Sequence, residues 1–297
     1  MNTFFVRLAT GVIAAALLIS AILFSPFTYG LAILIGVLGG VYEFHTISGP
    51  VRHADAGATK RGRRTALILA TVVTLLSVLF NMRPYTFIDI AVILPAVFFF
   101  YFVRELFSRS ENPFQEIAWN IMPFIYIVLP LLLLNWLYFE KGPLFALGIL
   151  FLIWFYDSMC YICGSLLGRT KLFERISPKK TVEGMIGGMI LSLIFVFFYD
   201  QILAFLSAKY HYKTQAYNHF QWLIIGFVTL VFATLGDLVE SLLKRSLDIK
   251  DSGTILPGHG GFLDRLDAIV VAIPFAVLTI WIIDRIVDVK LLIDFLS

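Results

Sequence analysis

Apolar residues run along this chain in stretches of about twenty, and polar residues collect in short segments between them. Such stretches lie near residues 4 to 24, 27 to 47, 65 to 82, 86 to 107, 116 to 138, 143 to 165, 184 to 206, 219 to 240 and 268 to 288. Each is long enough for one membrane-spanning helix, so the pattern predicts an all-α polytopic membrane protein of about nine transmembrane helices. Composition agrees, because 59% of the residues are hydrophobic, only 14% are charged and the mean hydropathy is +0.88. A soluble domain does not carry that balance.

The basic residues orient the helices, since loops that stay cytoplasmic keep Lys and Arg. With the N-terminus cytoplasmic, all 23 basic residues fall on the inner side except Arg83, Lys141, Lys209, Lys213, Arg285 and Lys290. An odd number of spans then places the C-terminus outside. The first apolar run carries one Arg and no convincing small-residue cleavage site, so a retained helix is expected rather than a cleaved signal peptide. With no internal repeat or low-complexity tract, residues 1–297 read as a single membrane-embedded domain, N-terminal helices over 1–142 and a motif-bearing half over 143–297.

Cys160 and Cys163 form a CxxC inside an apolar helical run, with no second pair and no nearby His. Zinc would lack ligands there, so both are read as small helix-packing residues. The spacings Gly36 to Gly40, Gly164 to Gly168 and Gly184 to Gly188 are read as close helix approaches. The basic segment Arg52 to Arg64 is read chiefly as a topology signal, with anionic membrane lipids as the alternative partner.

Most of the remaining polarity gathers in the last third. Asp237, Ser241, Lys244 and Arg245 stand at offsets of 0, 4, 7 and 8, one face of a helix. A carboxylate inside a membrane helix is a functional candidate by default, and Asp157 is a second one. In "LPGHGGFLDRLDA" the Pro and Gly residues break the chain and a helix restarts near Phe262. A glycine-rich entry such as Gly260 and Gly261 leaves backbone N–H groups that bind phosphate at a helix N-terminus. Asp264 and Asp267 follow at i and i+3 on one face, where two acids repel unless a cation lies between them. Magnesium takes carboxylate and phosphate oxygens, so Asp237, Asp264 and Asp267 form the candidate metal site.

Lys244, Arg245, Lys250 and Arg265 surround those acids, which suits a ligand carrying several phosphates, as in phosphoryl or nucleotidyl transfer. His259 is left open between a general acid or base, a phosphate hydrogen-bond donor and a turn residue. In "ISPKKTVEG", Ser177, Lys179, Lys180 and Thr181 precede a helix beginning near Glu183 and are read either as phosphate contacts or as ordinary inner-side charge.

Ser241, Lys244, Arg245, Lys250, Asp251, Pro257, His259, Gly260, Gly261, Asp264, Arg265 and Asp267 stand at the spacing S-x-x-K-R-x4-K-D-x5-P-x-H-G-G-x-x-D-R-x-D. This closely resembles the signature of phosphatidate cytidylyltransferases, also called CDP-diglyceride synthetases, without departure. The resemblance covers roughly Asp157 to Asp267; before that only hydropathy agrees. It implies a magnesium-dependent reaction of CTP with phosphatidic acid in the half 143–297, giving CDP-diacylglycerol and pyrophosphate at a bacterial-type inner membrane. It also implies metal roles for Asp237, Asp264 and Asp267, and a second cation beside the magnesium is left open. The catalytic candidates are Lys244, Arg245, Lys250, Asp251, His259 and Arg265, and the substrate-binding candidates are Ser177, Lys179, Lys180, Thr181, Ser241, Gly260 and Gly261.

No nucleic-acid partner is expected, and the small-residue spacings permit a homodimer. Two rival readings remain: a CTP-dependent membrane lipid kinase, and an ion-coupled transporter using Asp157, Asp237 and Asp264 as a relay. The D-G-x-x-A-R-x8-G-x3-D-x3-D pattern of CDP-alcohol phosphotransferases is absent.

Overall fold

Helix starts are written locally in the sequence. Pro26, Pro113 and Pro143 each stand at the opening of a helix, where the missing N–H costs nothing. Ser25 accepts from the Thr28 N–H at 3.1 Å and Asn218 from the Gln221 N–H at 2.9 Å, each with the reciprocal bond that closes a capping box. In the computed structural model, residues 2–49, 56–81, 88–108, 110, 112–210, 217–253, 255 and 260–296 are described.

The helices are α1 (Asn2–Phe24), α2 (Pro26–Ser48), α3 (Ala56–Asn81), α4 (Ile88–Leu106), α5 (Pro113–Pro123), α6 (Leu129–Lys141), α7 (Pro143–Leu167), α8 (Val182–Phe197), α9 (Tyr199–Tyr210), α10 (His219–Ser246) and α11 (Leu263–Leu296). A π-helical turn, Phe124–Val128, joins α5 to α6 without a break, and the Leu129 N–H reaches back five residues to the Phe124 carbonyl. Pro123 and Pro130 flank it; a proline ring crowds the preceding turn, and widening the turn relieves that clash.

Among the described residues, six helical segments are long and apolar enough to cross a membrane: Pro26–Ser48, Thr59–Leu79, Pro113–Lys141, Pro143–Leu167, His219–Ser246 and Leu263–Val287. The chain is thus an all-α polytopic membrane protein in its described part, apart from one short hairpin. Phe27, Phe99, Ile190 and Phe227 point outward, a distribution that lipid accommodates and water does not.

Three expectations need correction. The run 184–206 is not one helix, because the chain turns at Phe198 between α8 and α9. The basic residues Lys60, Arg61, Arg63 and Arg64 lie in the first turns of α3 rather than in a loop, with Arg63 stacked 4.7 Å above the Tyr42 ring. The segment after Gly168 holds an antiparallel hairpin, β1 (Lys171–Phe173) and β2 (Ser177–Thr181), pairing Lys171 with Thr181 and Phe173 with Ser177.

Packing follows the small residues. A Cβ on Gly184 of α8 would lie 2.9 Å from the Gly164 Cα of α7, and Cys160 and Cys163 sit against Gly188 and Gly187. The cysteines are therefore packing residues between α7 and α8, as expected. Gly36, by contrast, makes only ordinary contact with Leu131. A Cβ on Gly236 would lie 2.6 Å from the Asp267 carbonyl oxygen, so α10 and α11 approach closely beside the residues of the motif. At the other end of these helices, Lys141 is ion-paired with Asp284 at 2.6 Å and Tyr217 donates to the same carboxylate at 2.8 Å.

Candidate active site

The site is assembled from segments of α2, α7, α8, α10 and α11 together with the hairpin. Thr181 ends β2 and caps α8, its hydroxyl oxygen accepting from the Gly184 N–H at 3.2 Å. Glu183 accepts from the Arg169 N–H at 3.0 Å and the Thr170 N–H at 3.1 Å, which ties the base of the hairpin to α8. The bond from Arg169 leads the backbone contacts that hold the Glu183 carboxyl down at about 2, below its ordinary 4.5. A depressed carboxyl stabilises above the ordinary value and loses that effect as pH falls through the depressed one. Hydrogen exchange at Arg169 and Thr170 should therefore stay slow at neutral pH and speed up between pH 4.5 and about 2, beyond the intrinsic pH effect. Exchange with no added acid dependence there would contradict the tie.

Strand alternation puts Lys179 and Lys180 on opposite faces of β2. Lys179 is exposed, while Lys180 is half-buried and ion-paired with Asp237 of α10. Ser241 lies one turn beyond, its hydroxyl 3.4 Å from the other Asp237 oxygen. Asp157 of α7, Asp237 and Asp267 of α11 share one electrostatic neighbourhood, with Lys180 and Arg265 as its cations. The helical arrangement of Asp237, Ser241 and Lys244 is as the sequence predicts. Asp157 joins this group more closely than the motif alone suggests.

Asp264 has its own surroundings. Lys244 donates to its Oδ1 at 2.8 Å, and the N–H groups of Gly261 and Ser252 donate to Oδ2 at 2.7 and 3.0 Å. Lys244 is at the same time paired with Glu240 at 2.5 Å, so one ammonium bridges two carboxylates. Gly260 has a φ of 80°, a conformation that glycine adopts without strain. The entry to α11 differs from the expected open phosphate cradle. Its Gly261 N–H is taken by Asp264 and its Leu263 N–H by Glu43 of α2 at 3.0 Å.

Arg245 donates to the Ile176 carbonyl at 3.5 Å and the Ile249 carbonyl at 3.3 Å, joining hairpin to helix. Lys250, Asp251 and Arg265 are exposed, and Ser177 is half-buried on β2. Asp267 accepts from the Ala268 N–H at 2.7 Å. Pro257 and His259 lie outside the described residues. Among the described residues, no three of His, Cys, Asp and Glu stand together closely enough to hold a metal ion by themselves.

Two acids were missed by sequence reasoning. Glu240 stands four residues before Lys244, the favourable order for a helical ion pair, and that spacing could have revealed it. Glu43 gave no local signal, since its partners lie more than two hundred residues away.

The sequence profile of the cytidylyltransferase family matches residues 5–283. The chain belongs to that family. Among its relatives, a phosphatidate cytidylyltransferase of Bacillus subtilis (strain 168) is 47% identical over 123 residues, covering 41% of this chain and 42% of that protein. One of Staphylococcus haemolyticus is 37% identical over 175 residues, 56% of this chain and 60% of the relative. One of Haemophilus influenzae is 36% identical over 172 residues, 56% of this chain and 57% of the relative. The chain thus spans about half the length of the curated relatives it matches. The polar motif that begins at Ser241 and ends at Asp267 runs from the C-terminal end of α10 to the start of α11.

Proposed function

We propose that this protein transfers the cytidylyl group of CTP to phosphatidic acid, giving CDP-diacylglycerol and pyrophosphate for phospholipid synthesis. The observation that carries the reading is the meeting of Lys180 and Asp237, and of Lys244 and Asp264, at one end of two apolar helices. The names of the aligned relatives support the same substrates. A membrane-embedded site with polar loops at its edge suits a lipid phosphate and a water-borne nucleotide.

In the proposed reaction a phosphate oxygen of phosphatidic acid attacks the α-phosphorus of CTP. The bond from that phosphorus to the bridging oxygen breaks, and pyrophosphate leaves with the electron pair. Phosphatidic acid is already anionic at neutral pH, so no strong base is needed. The chain must instead position two polyanions and offset their repulsion. Lys180 and Lys244 are held ready by their acids, while Lys179, Lys250 and Arg265 offer exposed charge to a triphosphate.

The donor set suits a hard divalent cation. Magnesium commonly takes one or two carboxylates and completes its shell with substrate phosphates, so a preformed cluster of three acids is not required. Asp237, Asp264 and Asp267 would hold it, and Asp157 lies in the same neighbourhood as two of them, which leaves oxygen ligands for a second cation. Bound there, magnesium supplies positive charge against the triphosphate.

The basic-residue pattern supports nine crossings, a cytoplasmic N-terminus, an external C-terminus and a site at the cytoplasmic face of a bacterial inner membrane. Outward apolar faces would allow a homodimer. The test is a paired assay of the purified protein with phosphatidic acid, magnesium and CTP labelled at either the α- or the γ-phosphorus. Label from the α position should enter the lipid phase. Label from the γ position alone would make the protein a lipid kinase, and movement of neither would return the transport reading.

A further inference from the structure

We propose that Glu43, on α2 in the N-terminal half, is a positioning residue for this site. Its carboxylate grips the two ends of the motif loop, Ser252 and Leu263, and so fixes where Asp264 points. The proposal rests on the cytidylyl-transfer reading for its kinetic arm and on geometry alone for the rest.

Glu43 is 2% exposed. Its Oε2 accepts from the Ser252 hydroxyl at 3.1 Å and from the Leu263 N–H at 3.0 Å. Ser252 thus gives its hydroxyl to Glu43 and its N–H to Asp264, so two carboxylates from opposite halves of the chain hold the same residue. The loop is trimmed to admit the acid. A Cβ on Gly261 would lie 2.6 Å from the Glu43 carboxyl carbon, and one on Gly253 would lie 3.0 Å from it. The second glycine of the H-G-G stretch is thereby explained by Glu43 rather than by a phosphate.

Helix α2 supplies a platform for this grip. Gly39, Gly40 and Glu43 fall at offsets of 0, 1 and 4, on one face. A Cβ on Gly39 would meet the Phe262 ring at 2.6 Å, and Leu266 packs over Gly40. Residues 261–266 therefore rest on α2 at the turn where Asp264 leaves the loop. An ionisable side chain buried among membrane helices is retained where it does specific work, and here the contacts identify that work as orientation.

The test uses the full chain in detergent with Glu43→Ala, Glu43→Gln and Ser252→Ala. Glutamine keeps an acceptor oxygen in the same place, whereas alanine keeps none. Glu43→Ala should lower kcat by about 10- to 100-fold while the KM values for CTP and phosphatidic acid change little, as for loss of an orienting outer partner. Glu43→Gln should recover most of that loss, and Ser252→Ala should fall between. Hydrogen exchange of the peptide spanning Ser252 to Leu263 should quicken in Glu43→Ala and stay near wild type in Glu43→Gln.

Unchanged exchange in Glu43→Ala would overturn the proposal. So would quickened exchange with unaltered kcat in folded protein, which would make the contact merely structural. If Glu43→Ala fails to fold, Ser252→Ala carries the same comparison, and normal kcat and exchange in it would refute the grip. A wild type inactive on CTP and phosphatidic acid would sink the functional reading instead, leaving the exchange measurement to decide whether Glu43 holds the loop.

Discussion

Asp264→Asn should lower kcat by about a hundred- to a thousandfold, with the protein still folded, because it removes a charge from the most heavily hydrogen-bonded carboxylate of the site. One oxygen of Asp264 faces Lys244 and the other faces the Gly261 and Ser252 N–H groups, so both must accept. An amide offers one acceptor and one donor. Turned one way, its NH2 meets the Lys244 ammonium; turned the other way, it meets the two loop N–H groups. Either choice sets donor against donor, and a hydrogen bond to a charged group contributes about 1.5–3 kcal/mol. Lys244 would keep only Glu240, and the cation expected to face the triphosphate would be drawn back along α10. Turnover with saturating CTP and phosphatidic acid measures the effect. Wild-type kcat in folded Asp264→Asn protein would remove Asp264 from the chemistry.

The helices and the motif were legible because their signals are local. Hydropathy placed α2, α7 and α10 within a few residues of their observed starts, and the offsets from Asp237 to Lys244 described a real helical face. Phe198 escaped notice because the apolar run continues through it with neither Gly nor Pro to mark the turn. The hairpin escaped because strands of three and five residues, rich in charge, resemble a loop. Its structural cues were Glu183 and Thr181, which bind backbone N–H groups on either side of the α8 start. The partition of the acids was also hidden. Asp264 and Asp267 are one turn apart, yet the first faces Lys244 and the second shares surroundings with Asp157 and Asp237. Spacing on one helix fixes which face a residue occupies, but the partner across the interface is set by how closely α10 and α11 approach at Gly236. Glu43 illustrates the limit most clearly, since its role exists only after α2 and the motif loop have met.

Lys141→Met should destabilise the protein by about 3–5 kcal/mol, the usual cost of removing one partner of a buried ion pair. Lys141 ends α6 with its side chain 4% exposed, and Asp284 lies twenty positions after Asp264 on α11, about 30 Å away along the helix axis. The staple therefore sits far from the motif and joins α6 to α11, with Tyr217 bringing in the segment before α10. Removing the ammonium takes away the Asp284 carboxylate's ion-pair partner while the Tyr217 hydroxyl still donates to it. Asp284→Leu takes the carboxylate from the Lys141 ammonium in the same way. The double variant Lys141→Met with Asp284→Leu removes both charges, so it should be more stable than either single variant, leaving chiefly the lost Tyr217 acceptor at about 1–3 kcal/mol. Unfolding in mixed detergent micelles gives the three values, and additive losses would contradict the pairing. Activity per folded molecule should be unchanged in the double variant, because α10 and α11 meet the hairpin, Glu43 and the motif loop at their other ends.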